Sequence, residues 1–344
     1  MPTRAATLRT TPIELHLKTP FRLSRGSSTM RRNVIAEIEL DGIVGRGEAA
    51  PIPRYRESAD SAAAALEQMA RGLEQPAAFA REATRLAVPG QHAAQAAFDA
   101  ALHDLAARRL GVPVRELLGL ERRPLPPTSW TIGLDPLEEA LAKVRDAGEF
   151  EILKVKMGAP GDLELVRAVR DAAAQRIRVD ANEGWSVERA AAVLPELERL
   201  GIELVEQPFP AGELEAVRAL RSKTRLPLVA DEDVHTAADV PRLAGIYDGI
   251  NVKLAKCGGI SGARELIATA RSHGMKILLG CMVESSLGIA AALAVAPLVD
   301  WIDLDGHLLA ADDPFQGLGF EGGRLLPSDA PGFGVELRTP PGTR

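Results

Sequence analysis

Cysteine, histidine and aromatic residues are scarce in this chain of 344 residues, which contains two cysteines, six histidines and 4% aromatic residues. The two cysteines, Cys257 and Cys281, are too far apart to form a CxxC motif. We interpret them as free thiols of a cytoplasmic protein, because disulfides are rare in that compartment.

Long apolar runs and basic stripes are also missing. No apolar run reaches the ~18 residues of a membrane span, and the N-terminus lacks the apolar core of a signal peptide. The net charge is -6, without a basic stripe that carries interleaved aromatic residues. We therefore expect neither a nucleic-acid partner nor a membrane partner. Hydrophobic residues, by contrast, make up 46% of the chain, which is ample for a large globular core.

Short β-branched runs alternate with amphipathic stretches of helical spacing from about residue 125 onwards. This alternation is typical of parallel strands joined by crossover helices, and eight strands predict a closed barrel of the (β/α)8 type. Charged strand ends recur every 22 to 26 residues from Lys156 to Lys253, which is hard to obtain from an open sheet. The predicted strands are TSWTIG, ILKVK, RIRVD, IELVE, LPLVAD, GINVK, KILLG and DWIDLD.

The first 120 residues have a different pattern. Residues 10–50 predict antiparallel strands with a turn at Asp41-Gly42, and residues 59–120 predict helices. The last part of the chain is too rich in glycine and proline for a helix, and we expect it to cross back onto the N-terminal domain. The predicted division is an α+β domain of residues 1–123, completed by residues 315–344, and a barrel of residues 124–314.

Charged residues mark the carboxyl ends of the predicted barrel strands, where such barrels carry their catalytic groups. A single acid there could be solvated or could cap the next helix, but acids on three consecutive strands favour a metal site. Asp180, Glu206 and Asp231 offer only oxygen ligands, which suits Mg²⁺, and they lack the histidine or cysteine that Zn²⁺ prefers. The charged strand ends are Lys154, Lys156, Asp180, Glu206, Asp231, Lys253, Glu284, Asp303 and Asp305.

Two lysines flank these acids on opposite sides of the predicted barrel mouth, with Lys156 on the second strand and Lys253 on the sixth. A lysine near a divalent cation and a second lysine has its pKa lowered, so it can act as a base near neutral pH. Lys154 would lower the pKa of Lys156 in this way and would also hold a substrate oxygen. Two bases that face one carbon could remove a proton from one face and return it on the other, which inverts a stereocentre.

These residues lie in motifs that resemble those of the enolase superfamily, in its muconate-lactonising-enzyme-like subgroup. The motifs are KVK at 154–156, VDANEGW at 179–185, VEQP at 205–208, ADED at 230–233 and INVKLAKCGGISGA at 250–263. The resemblance covers nearly the whole chain. It implies an α+β capping domain over a modified TIM barrel of the (β/α)7β type. It also implies one Mg²⁺ per subunit on Asp180, Glu206 and Asp231, with Lys156 and Lys253 as the acid–base pair, since lysine bases with Mg²⁺ characterise this superfamily.

The subgroup contains cycloisomerases, o-succinylbenzoate synthases, N-acylamino acid racemases and dipeptide epimerases. The DLD sequence at 303–305 looks like that of the dipeptide epimerases, in which two such aspartates bind the free α-ammonium group of the substrate. The resemblance therefore implies an isomerase that acts on a small dipeptide, with L-Ala-L/D-Glu as the leading substrate. An N-acylamino acid racemase, an o-succinylbenzoate synthase and a non-catalytic metal-binding barrel are the alternatives.

The basic segment PFRLSRGSSTMRRN at 20–33 resembles the mobile lid that covers the barrel mouth in this family. Its arginines suit an acidic side chain on the substrate, and we expect Arg25 to bind it. Glu284, just past the seventh strand, is a further candidate for substrate binding. The roles of Asp233, where many relatives have serine, and of Lys256 stay open. Self-association is common in the family, so a homo-oligomer is an option.

Overall fold

An antiparallel sheet forms the N-terminal part of the protein. The computed structural model of the protein describes residues 6–24, 26–73 and 84–338. The strands of this sheet are β1 (Thr7–Leu23), β2 (Gly26–Leu40) and β3 (Ile43–Ala49), in the order of the chain. Asp41 and Gly42 have φ angles of 55° and 80° and join β2 to β3, as hairpin turns of this kind require. The predicted antiparallel strands and their turn are confirmed.

Among the described residues, α1 (Ala59–Arg71) and α2 (His92–Leu110) cover this sheet, and the short helix α3 (Val114–Leu117) packs against α2. The long helix α2 is buried on almost every side, because it packs between the sheet and the barrel. A Cβ atom at Gly47 would lie only 2.0 Å from the carbonyl oxygen of Ala97, so β3 can approach α2 closely only with glycine there. On the barrel side, Asp99 of α2 accepts a hydrogen bond of 2.6 Å from Ser261 Oγ.

Within the described residues, eight parallel strands form the second sheet, and neighbouring strands follow the order of the chain. The predicted fold class, a (β/α)7β barrel behind an α+β N-terminal domain, is confirmed. The strands are β4 (Ser129–Ile132), β5 (Ile152–Lys156), β6 (Arg176–Asp180), β7 (Val205–Glu206), β8 (Leu228–Ala230), β9 (Gly249–Val252), β10 (Lys276–Gly280) and β11 (Trp301–Asp303). The helices between them are α4 (Leu137–Asp146), α5 (Asp162–Ala172), α6 (Val187–Arg199), α7 (Leu214–Arg221), α8 (Val240–Leu243), α9 (Leu254–Cys257), α10 (Ile260–Ser272) and α11 (Ser286–Leu293).

The barrel closes between β4 and β11 through side chains. These two strands are the ends of the described sheet and do not pair with each other. Instead, Ser129 Oγ donates a hydrogen bond of 2.5 Å to Asp303, and the backbone N–H of Thr131 donates one of 2.7 Å to Asp305. The two aspartates predicted to bind substrate therefore also join the first strand of the barrel to the last.

The chain returns to the N-terminal helices after β11. Gly332 forms a bridge with Pro113, and its carbonyl oxygen accepts a hydrogen bond of 2.9 Å from the N–H of Val114. The domain boundaries themselves stay a prediction. Among the described residues, no helix combines the length and the apolar character needed to cross a membrane. The remaining strands are β12 (Phe315–Gln316), β13 (Gly319–Glu321), β14 (Arg324–Leu326) and β15 (Glu336–Leu337), and short 3-10 turns lie at Pro53–Tyr55, Ala237–Asp239, Ala296–Leu298 and Gly306–Leu309.

Candidate active site

The predicted strand-end residues meet at one mouth of the barrel, because parallel strands place their carboxyl ends at the same edge. Lys156, Asp180 and Glu206 end β5, β6 and β7, and they pair in register from one strand to the next. Asp231 and Lys253 follow β8 and β9 by one residue. All five side chains belong to residues that are at most 9% exposed. The site is thus a set of charges that is shielded from water.

A cavity of about 430 Å³ opens above this mouth. That volume lies in the range of small-molecule sites. The barrel supplies its charged floor, and the β1–β2 hairpin with the following loop supplies its wall. Floor residues that line the cavity are Lys154, Lys156, Asp231, Lys253, Asp303 and Asp305, and wall residues include Phe21, Leu23, Ser27, Ser28, Arg31 and Tyr55.

The two lysines of β5 both reach the cavity and both contact acids. Lys154 Nζ lies 2.6 Å from Asp303 Oδ2, 2.8 Å from Glu206 Oε2 and 3.1 Å from Asp180 Oδ2. Lys156 Nζ donates a hydrogen bond of 2.8 Å to Asp180. Burial opposes the charge of Lys154, but these carboxylates outweigh it and raise its pKa well above the usual value. Two neighbouring lysines are tolerated in the strand because acids from three other strands compensate them.

A second pair of lysines faces Asp231. Lys253 Nζ donates a hydrogen bond of 2.7 Å to Asp231 Oδ2, while Lys256 of α9 bonds to the other carboxylate oxygen and, at 2.6 Å, to the carbonyl oxygen. Lys256 is not among the described residues that line the cavity. Lys256 therefore contacts Asp231 from outside the cavity.

The lowering of a lysine pKa that is expected beside a divalent cation stays a prediction, and without the cation the pKa of Lys253 is raised. Burial disfavours its ammonium group, but Asp231 and Glu206 outweigh burial and raise the pKa of Lys253 above its usual value. A lower pKa would require an additional positive charge next to these carboxylates. That condition is the one that a bound divalent cation would meet.

The donor set of the three acids fits such a cation, since it consists of oxygens in buried carboxylates. Burial, and then the neighbouring Asp180, raise the pKa of Glu206 to about 6. Glu206 Oε2 is buried and accepts no hydrogen bond within the described residues, although Lys154 lies 2.8 Å away. Among the described residues, no group of three acidic, histidine or cysteine side chains is already arranged to hold a metal ion. Ammonium groups of Lys154, Lys156 and Lys253 contact these carboxylates instead.

Two amide side chains that position the acids are absent from the set predicted from the sequence. Gln207 Oε1 accepts the backbone N–H groups of Asp231 and Asp233, at 2.8 and 3.2 Å. Asn251 Nδ2 donates a hydrogen bond of 2.8 Å to Glu206 Oε1. Both amides lie inside the VEQP and INVKLAKCGGISGA motifs, but they carry no charge and therefore do not stand out from an apolar strand as the acids and lysines do. Gln207 also has a φ of 35°, a strained conformation of the kind that clusters at functional sites.

Asp303 and Asp305 both line the cavity, although only Asp303 belongs to a strand. β11 ends at Asp303, and Asp305 starts a 3-10 turn with φ of -92° and ψ of 1°. Both Asp303 oxygens already accept hydrogen bonds, from Ser129 and Lys154. Burial, and then the charge of Asp303, raise the pKa of Asp305 to about 6. A cationic group bound here would lower that pKa again.

The other predicted residues lie elsewhere. Arg25 falls outside the described residues. Glu284 is not among the described residues of the cavity wall; it accepts the N–H of Met282 at 2.8 Å, and burial raises its pKa to about 8. Asp233 accepts hydrogen bonds from Gln207 and, at 2.8 Å, from the Tyr247 hydroxyl, so it braces the loop after β8. Both cysteines are free thiols, as predicted.

Comparisons with known proteins agree with this fold and these motifs. The family described as Enolase C-terminal domain-like matches residues 136–340, and the Mandelate racemase / muconate lactonizing enzyme N-terminal domain matches residues 5–119. The chain therefore belongs to the enolase superfamily, in the branch of mandelate racemase and muconate lactonizing enzyme. The resemblance seen in the motifs is confirmed.

Individual relatives cover nearly the whole chain. The L-Ala-D/L-Glu epimerase of Bacteroides thetaiotaomicron is 38% identical over 94% of this chain and 86% of its own length. The L-Lys-D/L-Arg epimerase of Methylococcus capsulatus is 39% identical over 93% of this chain and 95% of its own. A crystal structure of a dipeptide epimerase from Cytophaga hutchinsonii, with Mg and D-Ala-L-Val, has a TM-score of 0.93 and 31% identity, covering 98% of this chain and 97% of that one.

Proposed function

We propose that this protein is an isomerase, a Mg²⁺-dependent dipeptide epimerase that inverts the α-carbon next to the C-terminal carboxylate of an L,L-dipeptide. The observation that carries the proposal is the position of Lys156 and Lys253. Lys156 ends β5 and Lys253 follows β9, and these strands are four apart in a barrel of eight. Both lysines line one cavity. Two amines on opposite sides of a cavity suit proton removal and proton return on opposite faces of one carbon.

We assign Asp180, Glu206 and Asp231 as the residues that hold Mg²⁺. Three observations support this assignment: the donors are all oxygens, the three residues are buried, and Glu206 Oε2 accepts no hydrogen bond among the described residues. When bound, the ion supplies positive charge that stabilises the negative charge left on the substrate carboxylate after the α-proton departs. Lys154, which already contacts Asp180, Glu206 and Asp303, would hold a substrate oxygen beside these carboxylates.

The proton transfers belong to the two lysines. One of them, as a free amine, accepts the α-proton, and an enediolate forms on the substrate. The other, as an ammonium group, returns a proton to the opposite face. Exchange with the solvent between turnovers resets both groups, so the reaction in D₂O introduces deuterium at the inverted carbon. This two-base scheme needs no net change in the charge of the site.

We infer that the first residue of the dipeptide binds through its α-ammonium group at Asp305 and Asp303. A cation in a shielded site needs carboxylate partners, and these two line the cavity. An N-acyl or N-succinyl substrate lacks that cation and would leave Asp305 without compensation. This difference favours the dipeptide epimerase over the N-acylamino acid racemase and the o-succinylbenzoate synthase. L-Ala-L/D-Glu is the leading substrate, in line with the name of the relative from Bacteroides thetaiotaomicron.

The test compares L-Ala-L-Glu with its N-acetyl derivative in D₂O with Mg²⁺, followed by mass spectrometry and chiral separation. Acetylation removes the cation, so kcat/KM should fall by about tenfold to a hundredfold. Equal or faster turnover of the acetylated or succinylated compound would replace the epimerase by an N-acylamino acid racemase. Elimination instead of inversion would favour the synthase, and no exchange with any substrate would leave a metal-binding barrel without this activity.

We further propose a cytoplasmic location, which the two free thiols support. Self-association stays a prediction, and sedimentation of the purified protein measures it directly. Whether the protein is a monomer or a homo-oligomer, the expected binding partner is the small dipeptide.

A further inference from the structure

Arg31 of β2 is a guanidinium in the cavity wall that has no acidic partner among the described residues. Its Nε is buried without a hydrogen bond. Nearby arginines differ in this respect: Arg22 lies 2.6 Å from Asp135, and Arg54 lies 2.7 Å from Glu183. Leaving a buried donor unpaired is costly, and a guanidinium is built to bind a carboxylate through two parallel hydrogen bonds. An unpaired guanidinium that faces a substrate cavity therefore calls for an anionic group of the substrate.

The strand pairing shows over which part of the cavity Arg31 lies. Arg31 pairs directly with Leu15 of β1, so the two side chains share one face of the hairpin. Leu15 is completely buried and packs with Val283 and Ala310, which follow the last two barrel strands. Asn33, two residues further along the same face, donates a hydrogen bond of 3.0 Å to the carbonyl oxygen of Val283. Arg31 is thus held above the loop that follows β10.

That sector of the cavity adjoins the paired aspartates. β10 and β11 are neighbours in the barrel, and Asp303 and Asp305 follow from β11. The other side of the cavity holds Lys156, whose Nζ lies 6.0 Å from the ring centre of Phe21. Since the carbon that is inverted belongs to the second residue and lies between the lysines, the sector near Arg31 receives the first residue.

We propose that Arg31 binds the side-chain carboxylate of an acidic first residue, so that dipeptides beginning with Asp or Glu are turned over in preference to their neutral isosteres. The inference rests on the proposed function, because it places the α-ammonium of that residue at Asp303 and Asp305. The first residue is then bound at both of its charged ends. Burial with no opposing carboxylate lowers the pKa of Arg31, which agrees with a guanidinium that still has a place for an anion.

The experiment measures kcat/KM for two matched pairs of dipeptides with Mg²⁺ in D₂O. The first pair is L-Glu-L-Ala and its neutral isostere L-Gln-L-Ala, and the second is L-Ala-L-Glu and L-Ala-L-Gln. The wild-type enzyme should prefer L-Glu-L-Ala to L-Gln-L-Ala by at least about tenfold, mainly through KM. Arg31→Met should reduce that ratio to about one, while Arg31→Lys should retain part of it.

Arg32→Met is the matched control, because Arg32 is the next residue of the same strand and points to the other face, 3.6 Å from Asp60. It should keep the wild-type ratio. Equal turnover of L-Glu-L-Ala and L-Gln-L-Ala by the wild type, or a preference that survives Arg31→Met, overturns the inference. A preference only within the second pair that disappears in Arg31→Met overturns the assignment to the first residue. If dipeptides exchange deuterium but acidic first residues are not preferred, only this inference is wrong. If no dipeptide exchanges deuterium, the proposed function is wrong as well.

Discussion

The two lysine pairs of the barrel mouth differ in how the local backbone presents them. On β5, Lys154 and Lys156 are two residues apart in an extended strand, so both side chains reach the cavity. After β9, Lys253 still has extended backbone, but Lys256 is three residues further on in a helical turn. Only the first lysine of this second pair lines the cavity among the described residues. The second contacts Asp231 from outside the cavity.

This difference shows that two pairs of the same residue type can have different roles. One lysine of each pair donates a hydrogen bond to an aspartate, Lys156 to Asp180 and Lys253 to Asp231. The pair on the strand leaves Lys154 in the cavity, where a substrate can contact it. The pair at the helical turn uses its second lysine to hold the carboxylate in place. Variants of the two pairs should therefore separate chemistry from positioning.

The largest effect should come from the two cavity lysines that face each other. Lys156→Ala and Lys253→Ala should each abolish epimerisation, with losses in kcat of about 10² to 10⁴, because each removes a general acid–base group. Each variant should still exchange deuterium into one stereoisomer only, and the two variants should differ in which isomer that is. NMR of L,L- and L,D-dipeptides in D₂O measures both properties.

Lys276→Ala is the matched control for these variants, because Lys276 is an exposed lysine at the opposite end of the barrel strand β10. Its activity should remain that of the wild type. If Lys156→Ala and Lys253→Ala both epimerise at the wild-type rate, the two-base scheme is wrong.

Next in size is the effect of the acids that both lysine pairs compensate. Asp180→Asn, Glu206→Gln and Asp231→Asn should each raise the Mg²⁺ concentration for half-maximal activity by at least about tenfold and lower kcat, because each removes a negative oxygen donor. Titration calorimetry with Mg²⁺ gives the binding change independently of activity. An enzyme that keeps full activity after exhaustive EDTA treatment would contradict the magnesium assignment.

A smaller effect should follow at the lysine outside the cavity. Lys256→Met removes the group that holds Asp231 and should cost about tenfold to a hundredfold in Mg²⁺ affinity, as the loss of an outer contact to a metal ligand usually does. Deuterium exchange from the L,L- and L,D-dipeptides should fall by the same factor, unlike in Lys253→Ala. A loss confined to one stereoisomer would show that Lys256 transfers protons itself and that the two pairs are equivalent.

The smallest effect lies outside both pairs, at a buried carboxyl that no lysine compensates. Glu57 accepts the N–H of Ala93 at the start of α2, and burial raises its pKa to about 6 from an ordinary value of 4.5. A raised pKa stabilises the fold fully below pH 4.5, and this contribution is lost as the pH rises through about 6. The variant Glu57→Gln has no titrating group at this position.

Urea unfolding of the wild type and Glu57→Gln at pH 4 and pH 7 measures this contribution. Between these values the wild type should lose about 1 kcal/mol of unfolding free energy relative to the variant, after allowance for solvent screening. A constant difference between the two proteins would show that Glu57 keeps an ordinary pKa in the fold.

Most of the barrel and its charged mouth could be predicted from the sequence. All eight predicted strands are present, and apart from Glu284 the acids and lysines predicted at their ends lie together, because side-chain periodicity and parallel strand direction are local properties. Gln207 and Asn251 could not be selected in this way. Their amides matter only through hydrogen bonds to Asp231 and Glu206, which come from other strands.

The sequence by itself determined which charges of β5 to β9 reach the barrel mouth, since each lies at the end of a strand, or one residue past it, and the apolar pattern of the strand sets its length and direction. Only the tertiary structure decided what surrounds them. It placed Asp305 in the cavity through a turn rather than through the strand, directed Lys256 to the back of Asp231, and left Arg31 of the hairpin unpaired among the described residues. These outcomes depend on loop conformation and on contacts between distant segments, and neither follows a repeat that a sequence pattern could reveal.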